Sequence, residues 1–344
     1  MRIMPVAMPK DVDEYFFNRV KDIDFLNMQI SSLRFNVPPL LLITGYRGVG
    51  KTFLLRKVLN NQNEDILTAF IDLSEIVGRQ KGNLSEEKVL KEILDSITIA
   101  VSKDKNFHER FINKMNSNIK KLKLKNYDFT SSGHIFEIPL PVISDNYDKL
   151  SKFVMELPQY IIDSSDKYKG FLIVIDEFQL LKHLNNPEAF FWLIRSFTQK
   201  QFNVGYIFTG SVSKTADVIN MINGQDGVFG GRLIQINIEP FTFDETKAYI
   251  EEKSNNLKFT DEGFEKFYRC TRGIPLYINS FASILPNNIV CSEDIVKKTF
   301  VLNVDQVATI WIYVWGRLSR GEKDFIIYLL ENDGAIRSQI KSDL

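Results

Sequence analysis

Short unbroken apolar runs alternate along the chain with longer stretches whose apolar positions recur every three or four residues. The first run, Leu40 to Ile43, follows Pro38-Pro39 and reads as a strand buried on both faces. After a glycine-bearing loop, Phe53, Leu54, Leu55, Val58 and Leu59 recur at helical spacing. "DILTAFIDLSEI" (65–76) predicts a second core strand, and "SEEKVLKEILDSITIAVSK" (85–103) an amphipathic helix capped by Ser85. Further strands are predicted at Phe171–Ile175, within "NVGYIFTGS" (203–211), and after the Gly230-Gly231 turn, where Arg232 opens a strand-like alternation. Strands separated by helices predict an α/β fold with a parallel sheet. From Asp244 the pattern turns helical, over 244–256, 260–271, 275–287 and 292–304.

Composition narrows this little. The chain has 344 residues, 44% hydrophobic and 25% charged, enough for two or three domains with their own cores. Lys plus Arg (43) equals Asp plus Glu (43), so any basic surface is local. Cys270 and Cys291 are too few for a disulfide scaffold or a zinc site and read as buried thiols. No apolar run reaches the roughly 18 residues of a membrane span, and "MRIMPVAMPKDVDE" lacks a signal-peptide core. A cytoplasmic protein is the expectation.

Two stretches carry chemistry. "GYRGVGKT" meets GxxxxGK[ST] between a strand and a helix, the context that pattern needs. Its glycines let successive N–H groups curl around phosphate oxygens, and the helix N-terminus adds positive potential. The expected phosphate-binding set is Gly45, Tyr46, Arg47, Gly48, Val49, Gly50, Lys51, Thr52 and Phe53. Lys51 would reach the β- and γ-phosphates and Thr52 a magnesium ion. "FLIVIDEFQ" then delivers Asp176 and Glu177 at the end of a buried strand, where Asp176 would hold the metal shell and Glu177 would act as general base. Thr209 and Ser211 end the next strand, as γ-phosphate sensors or as a plain strand end with a serine N-cap. Arg232 would reach a phosphate of its own or of a neighbouring subunit, or make a surface salt bridge. The nearest string to a guanine-reading NKxD motif, Asn113-Lys114-Met115-Asn116, lacks the acid, and a water-activating Glu177 would waste ATP in a small-molecule kinase. ATP hydrolysis is the expected reaction, with ATP or ADP and magnesium as cofactors.

The motif order "FFNRVKDIDFL", GYRGVGKT, IDEFQ, FTGS, GGRL…PF and "TRGIPLYI" (271–278) resembles the archaeal ATPase family of the STAND branch of AAA+-type P-loop NTPases, more distantly the archaeal origin-recognition initiators. The resemblance runs from about residue 12 to 340. It implies a parallel-sheet P-loop core over 1–240 with an insertion at about 103–145, a helical lid over 241–304, and a winged-helix-like segment over 305–344. It also implies adenine contact through Phe17 and Arg19, near Asp22, with Asn18 standing where the family has glycine. Pro275 of Gly273-Ile274-Pro275 would pack on the nucleotide, and Arg272 is the sensor 2 candidate.

Residues 103–125 hold eight Lys/Arg against Asp104 and Glu109, a net +6. That reads as a solvated helix face or a contact for nucleic-acid phosphates, with Phe107, Phe111 and Tyr127 as the interleaved aromatics. "GHIFEIPLPVI" (133–143) reads as an edge hairpin or loop and His134 as a surface residue. Ser319 and Glu322 read as a capping box, Asn332-Asp333-Gly334 as a helix stop, and Trp311 and Trp315 as packing residues. Two functions follow: an ATP-hydrolysing switch read by an unidentified protein partner, or a nucleotide-gated DNA-binding protein. No membrane partner is expected, and monomer and homo-oligomer both fit.

Overall fold

The computed structural model describes residues 5, 7–79, 81–118, 129–135, 138–141, 147–211, 220, 222–224, 227–254, 256–307, 315–316 and 318–331. Five strands, β1 (Leu40–Gly45), β2 (Ile66–Asp72), β3 (Gly170–Asp176), β4 (Val204–Thr209) and β5 (Ile234–Ile238), form one parallel sheet in the order β2-β3-β4-β1-β5. Every residue of β3 and β4 is buried, as strands covered on both faces require. One face packs helices Glu86–Ser102, Tyr147–Asp163 and Pro187–Thr198 through Ile93, Phe153 and Phe190. The other packs Val20–Ser31 and Lys51–Asn60 through Leu26, Leu54 and Leu55. This sheet and its helices make up one compact unit, Met8–Pro240.

Several predicted elements change shape. The second strand is an edge strand, and it stops at Asp72 instead of running to 76. There the Asp72 carboxylate accepts from the Ser74 N–H (2.8 Å) and the Ser74 hydroxyl, which starts the helix Leu73–Arg79. The 133–143 stretch belongs to an antiparallel pair, Phe129–Ile135 with Ile138–Pro141.

The basic segment contributes the helix Lys105–Asn118, which contains the Asn113–Asn116 string. Its Phe107, Phe111 and Ile112 are buried in the main core, and the Phe107 ring meets the Tyr168 ring edge-on at 4.8 Å. Asp104 fastens the helix start by accepting from the Phe107 N–H, Lys167 Nζ and the Tyr168 hydroxyl at 2.7–3.0 Å. Those donors, Lys167 foremost, pull its carboxyl down to about 2. Phe107 and Phe111 are therefore core anchors and not a stacking platform. Tyr127, the side chain of His134, Trp311 and the 332–334 stop lie outside the described residues.

The second compact unit, Phe241–Leu344 with Met1–Ala7, is helical. Its helices include Phe243–Lys253, Asp261–Thr271, Pro275–Ala282 and Glu293–Leu302; the second ends at the predicted limit and the other three end short of it. The third stops five residues early, and Val290-Cys291 instead pairs in parallel with Lys258-Phe259, a contact no sequence period signals. Thr242 and Glu245 form a reciprocal capping box, as do Ser319 and Glu322 before Arg320–Glu331. Gly273 is required where it stands: its φ is +70°, and a Cβ would lie 1.8 Å from the Phe241 carbonyl oxygen. Among the described residues no helix is long and apolar enough to cross a membrane.

Candidate functional site

β1 delivers the glycine loop and β3 delivers the two acids, with β4 between them, so the two strands run about 10 Å apart and their side chains meet beyond the strand ends. All three strands end on the same side, the end of a parallel sheet where ligands bind. Gly45 closes β1 with φ +150°, and a Cβ there would fall 2.6 Å from the Ile238 carbonyl oxygen of β5. Gly50 takes φ +98° and lets the chain turn into the helix Lys51–Asn60. Between them the Val49 N–H bonds the Tyr46 carbonyl at 3.2 Å. Tyr46 and Arg47 are exposed and Val49 is buried, so the loop presents backbone inward and holds itself by one apolar side chain.

Lys51 is buried, and its Nζ donates to the carbonyls of Gly45 (3.1 Å) and Tyr46 (3.0 Å) and to Ser211 Oγ (3.4 Å). Burial pulls its ammonium below the usual lysine range, partly opposed by the charges of Glu177 and Asp176. A desolvated cation facing two carboxylates is poised to receive an anion.

Across from it, Asp176 is buried and saturated. Its carboxylate accepts from the Thr52 hydroxyl (2.7 Å), the Glu177 N–H (2.9 Å) and the Thr209 hydroxyl. The Thr52 hydroxyl spends its proton on Asp176 and keeps its lone pairs for a cation. No cluster of three or more His, Cys, Asp or Glu side chains able to hold a metal occurs among the described residues. Thr52 and Asp176 offer oxygen donors, the type a hard cation takes, with phosphate oxygens and water to complete its shell.

Glu177 follows in a left-handed conformation, φ 55°, at the start of the 3-10 turn Phe178–His183. Thus Lys51, Thr52, Asp176, Glu177, Thr209 and Ser211 converge as the motifs implied. Phe53 lies just beyond, its ring stacked on Phe16 at 5.8 Å. Phe16, next to the expected adenine-contact residue Phe17, makes this contact with the loop helix. Arg19, also left-handed at φ 66°, donates to the Val49 carbonyl at 3.3 Å and pairs with Asp22 at 3.7 Å, bracing the loop from outside. Pro275 and Arg272 belong to the second unit, where Pro275 opens its helix and Arg272 is exposed.

Arg232 stands apart. It precedes β5, whose Ile234 is in register with Leu41 while Ile238 is in register with Gly45. It shares a cleft with Pro38, Pro39 and Val204 at the opposite end of the strands, roughly 20 Å along the chain direction from the level of Gly45. This structure does not bring Arg232 to the loop of its own chain. Sequence reading also passed over Gln179, whose amide touches Glu177. Its one signal is a lone polar residue between Phe178 and Leu180 in "DEFQLL".

Comparison with known proteins agrees with this geometry. Residues 16–281 match the family described as an ATPase domain predominantly from Archaea. No curated protein matches the chain in sequence. Among solved structures, the Walker-type ATPase PABY2304 of Pyrococcus abyssi is similar with a TM-score of 0.58 at 19% identity, over 90% of this chain and 79% of that one. The ORC1 protein of Aeropyrum pernix, solved in complex with DNA, gives 0.50 at 12% identity, over 96% and 76%. Drosophila ORC bound to DNA gives 0.50 at 10% identity, over 96% and 71%. At such identities these likenesses establish the fold: a P-loop NTPase core shared with Walker-type and origin-recognition ATPases.

Proposed function

The chain belongs to the family of ATPase domains found predominantly in Archaea, and on that premise we propose that it is a magnesium-dependent, ATP-hydrolysing switch of the STAND type. The observation that carries this reading is the meeting of Lys51, Thr52, Asp176 and Ser211 around one space, with Thr52 and Asp176 at 2.7 Å and Lys51 and Ser211 at 3.4 Å. In the reaction, Lys51 exchanges its two backbone carbonyls for β- and γ-phosphate oxygens, and Ser211 contacts the γ-phosphate beside it. Magnesium would be held by Thr52 with Asp176 in its shell, and would supply charge neutralisation along the phosphates. Glu177 takes the proton of a water whose oxygen bonds to the γ-phosphorus. The bond from that phosphorus to the β–γ bridging oxygen breaks, and its electron pair leaves with ADP.

The switch is the coupling of this site to the second unit. In this reading residues 1–240 are the core, 241–304 a lid whose Pro275 packs on the nucleotide, and 305–344 a C-terminal module. Phe17 and Arg19 border the adenine, a protein partner reads the closed form, and Arg232 serves catalysis only across a subunit boundary. Small-angle scattering of the full chain tests it. A smaller radius of gyration with a non-hydrolysable ATP analogue than with ADP is the expected result, and identical curves would remove the lid from the account. The DNA-bound state of ORC1 and ORC favours a second reading, nucleotide-gated DNA binding. The burial of Phe107 and Phe111 weighs against the 103–125 segment as its stacking surface.

A further inference from the structure

Gln179 is only 3% exposed, yet nothing about its packing calls for an amide. Its Nε2 donates to Glu177 Oε2, while its Oε1 is buried without a hydrogen-bond partner. The orientation is forced by chemistry, because a carboxylate only accepts and must face the NH2 end of the amide. Phe178 and Leu181, both fully buried, lock the 3-10 turn that carries Gln179. On its far side the amide abuts Gly210, the residue before Ser211, where a Cβ would come within 2.5 Å of Gln179 Oε1. A buried orphan acceptor carries a desolvation cost, and an apolar side chain of the same length would avoid it. The cost of the orphan Oε1 offsets what the Nε2 bond contributes, so what the amide supplies over methionine is the N–H that reaches Glu177.

We propose that Gln179 is a positioning residue for hydrolysis: its amide holds one oxygen of the Glu177 carboxylate and leaves the other, Oε1, aimed to receive the proton of the attacking water. Glu177 itself takes the left-handed conformation, φ 55°, and it is only partly buried. Without the amide the carboxylate samples several rotamers, of which few suit proton transfer. Gly210 belongs to the same device, since the absent Cβ is what admits the amide between the acid turn and the Ser211 segment. This inference rests on the reading of Glu177 as the general base.

The test uses the full chain with Gln179→Met, Gln179→Glu and Glu177→Gln under the same conditions. Gln179→Met is expected to lower kcat about ten- to a hundredfold. Its KM and its ATP dissociation constant by calorimetry should stay within about twofold of wild type, and its thermal midpoint should be little changed. Gln179→Glu, which sets carboxylate against carboxylate, should be at least as slow. Adding Gln179→Met to Glu177→Gln should cost nothing further, because the amide acts through that carboxylate. A Gln179→Met enzyme with kcat within twofold of wild type overturns the inference, as does a full additional loss in the double variant. If Glu177→Gln itself turns over normally, the reading of Glu177 falls instead, and the two failures are told apart.

Discussion

Replacing Lys51 by alanine is expected to weaken ATP binding by roughly a hundredfold or more, the scale of removing one partner from a desolvated charge pair. Lys51 is the buried cation whose Nζ reaches both the loop carbonyls and Ser211. Its ammonium is held below the usual lysine range by burial, against the opposing charges of Glu177 and Asp176, so a bound anion adds stabilisation to the charged form. Triphosphate supplies that anion, and the gain is lost with the side chain. Folding should be largely spared, because the alanine variant also removes a desolvated charge from the core. Titration calorimetry together with a thermal melt checks both halves. Wild-type affinity in a folded Lys51→Ala protein would mean that the loop is not the phosphate site. The same shift gives a pH signature. A lysine held below its normal range loses its proton at lower pH than a free one, so affinity should fall on the alkaline side before an ordinary lysine titrates.

Glu177→Gln is expected to leave ATP bound and to lower kcat by about 10²–10⁴-fold, the contribution of a positioned general base. The substitution keeps the shape and removes the proton acceptor, while Lys51, Thr52 and Asp176 stay in place to hold the triphosphate. The purified variant should retain ATP where the wild-type protein retains ADP, as denaturation and chromatography of the released nucleotide will show. Equal turnover in the variant would exclude Glu177 as the base.

Much of this site was legible in the chain itself, for physical reasons. The loop needs glycine where the backbone takes φ values of +82° and +98°, and Gly48 and Gly50 stand there. The acid strand must be apolar to be buried on both faces, so "FLIVI" announces where Asp176 and Glu177 emerge. What stayed hidden depends on strand order and on contacts between distant segments. Periodicity shows that Ile66–Asp72 and Val204–Thr209 are strands, but not that the former lies at the edge and the latter between loop and acids. The same blindness left Arg232 open to both roles: its position at the far end of the sheet follows only from the register of Ile234 with Leu41. The stacking of Phe16 on Phe53 joins segments 37 positions apart, which no local pattern signals. Gln179 carries no local signal, because nothing in the sequence around it reveals that the turn after Glu177 is buried.

The central claim is that one triphosphate is held between Lys51 and Asp176. A crystal structure of the Glu177→Gln protein grown with ATP and magnesium tests it most directly. The expected map shows Lys51 Nζ moved off the Gly45 and Tyr46 carbonyls onto the γ-phosphate, with the ion on Thr52 and Asp176 in its shell. Triphosphate bound elsewhere, with Lys51 still on those two carbonyls, would contradict it.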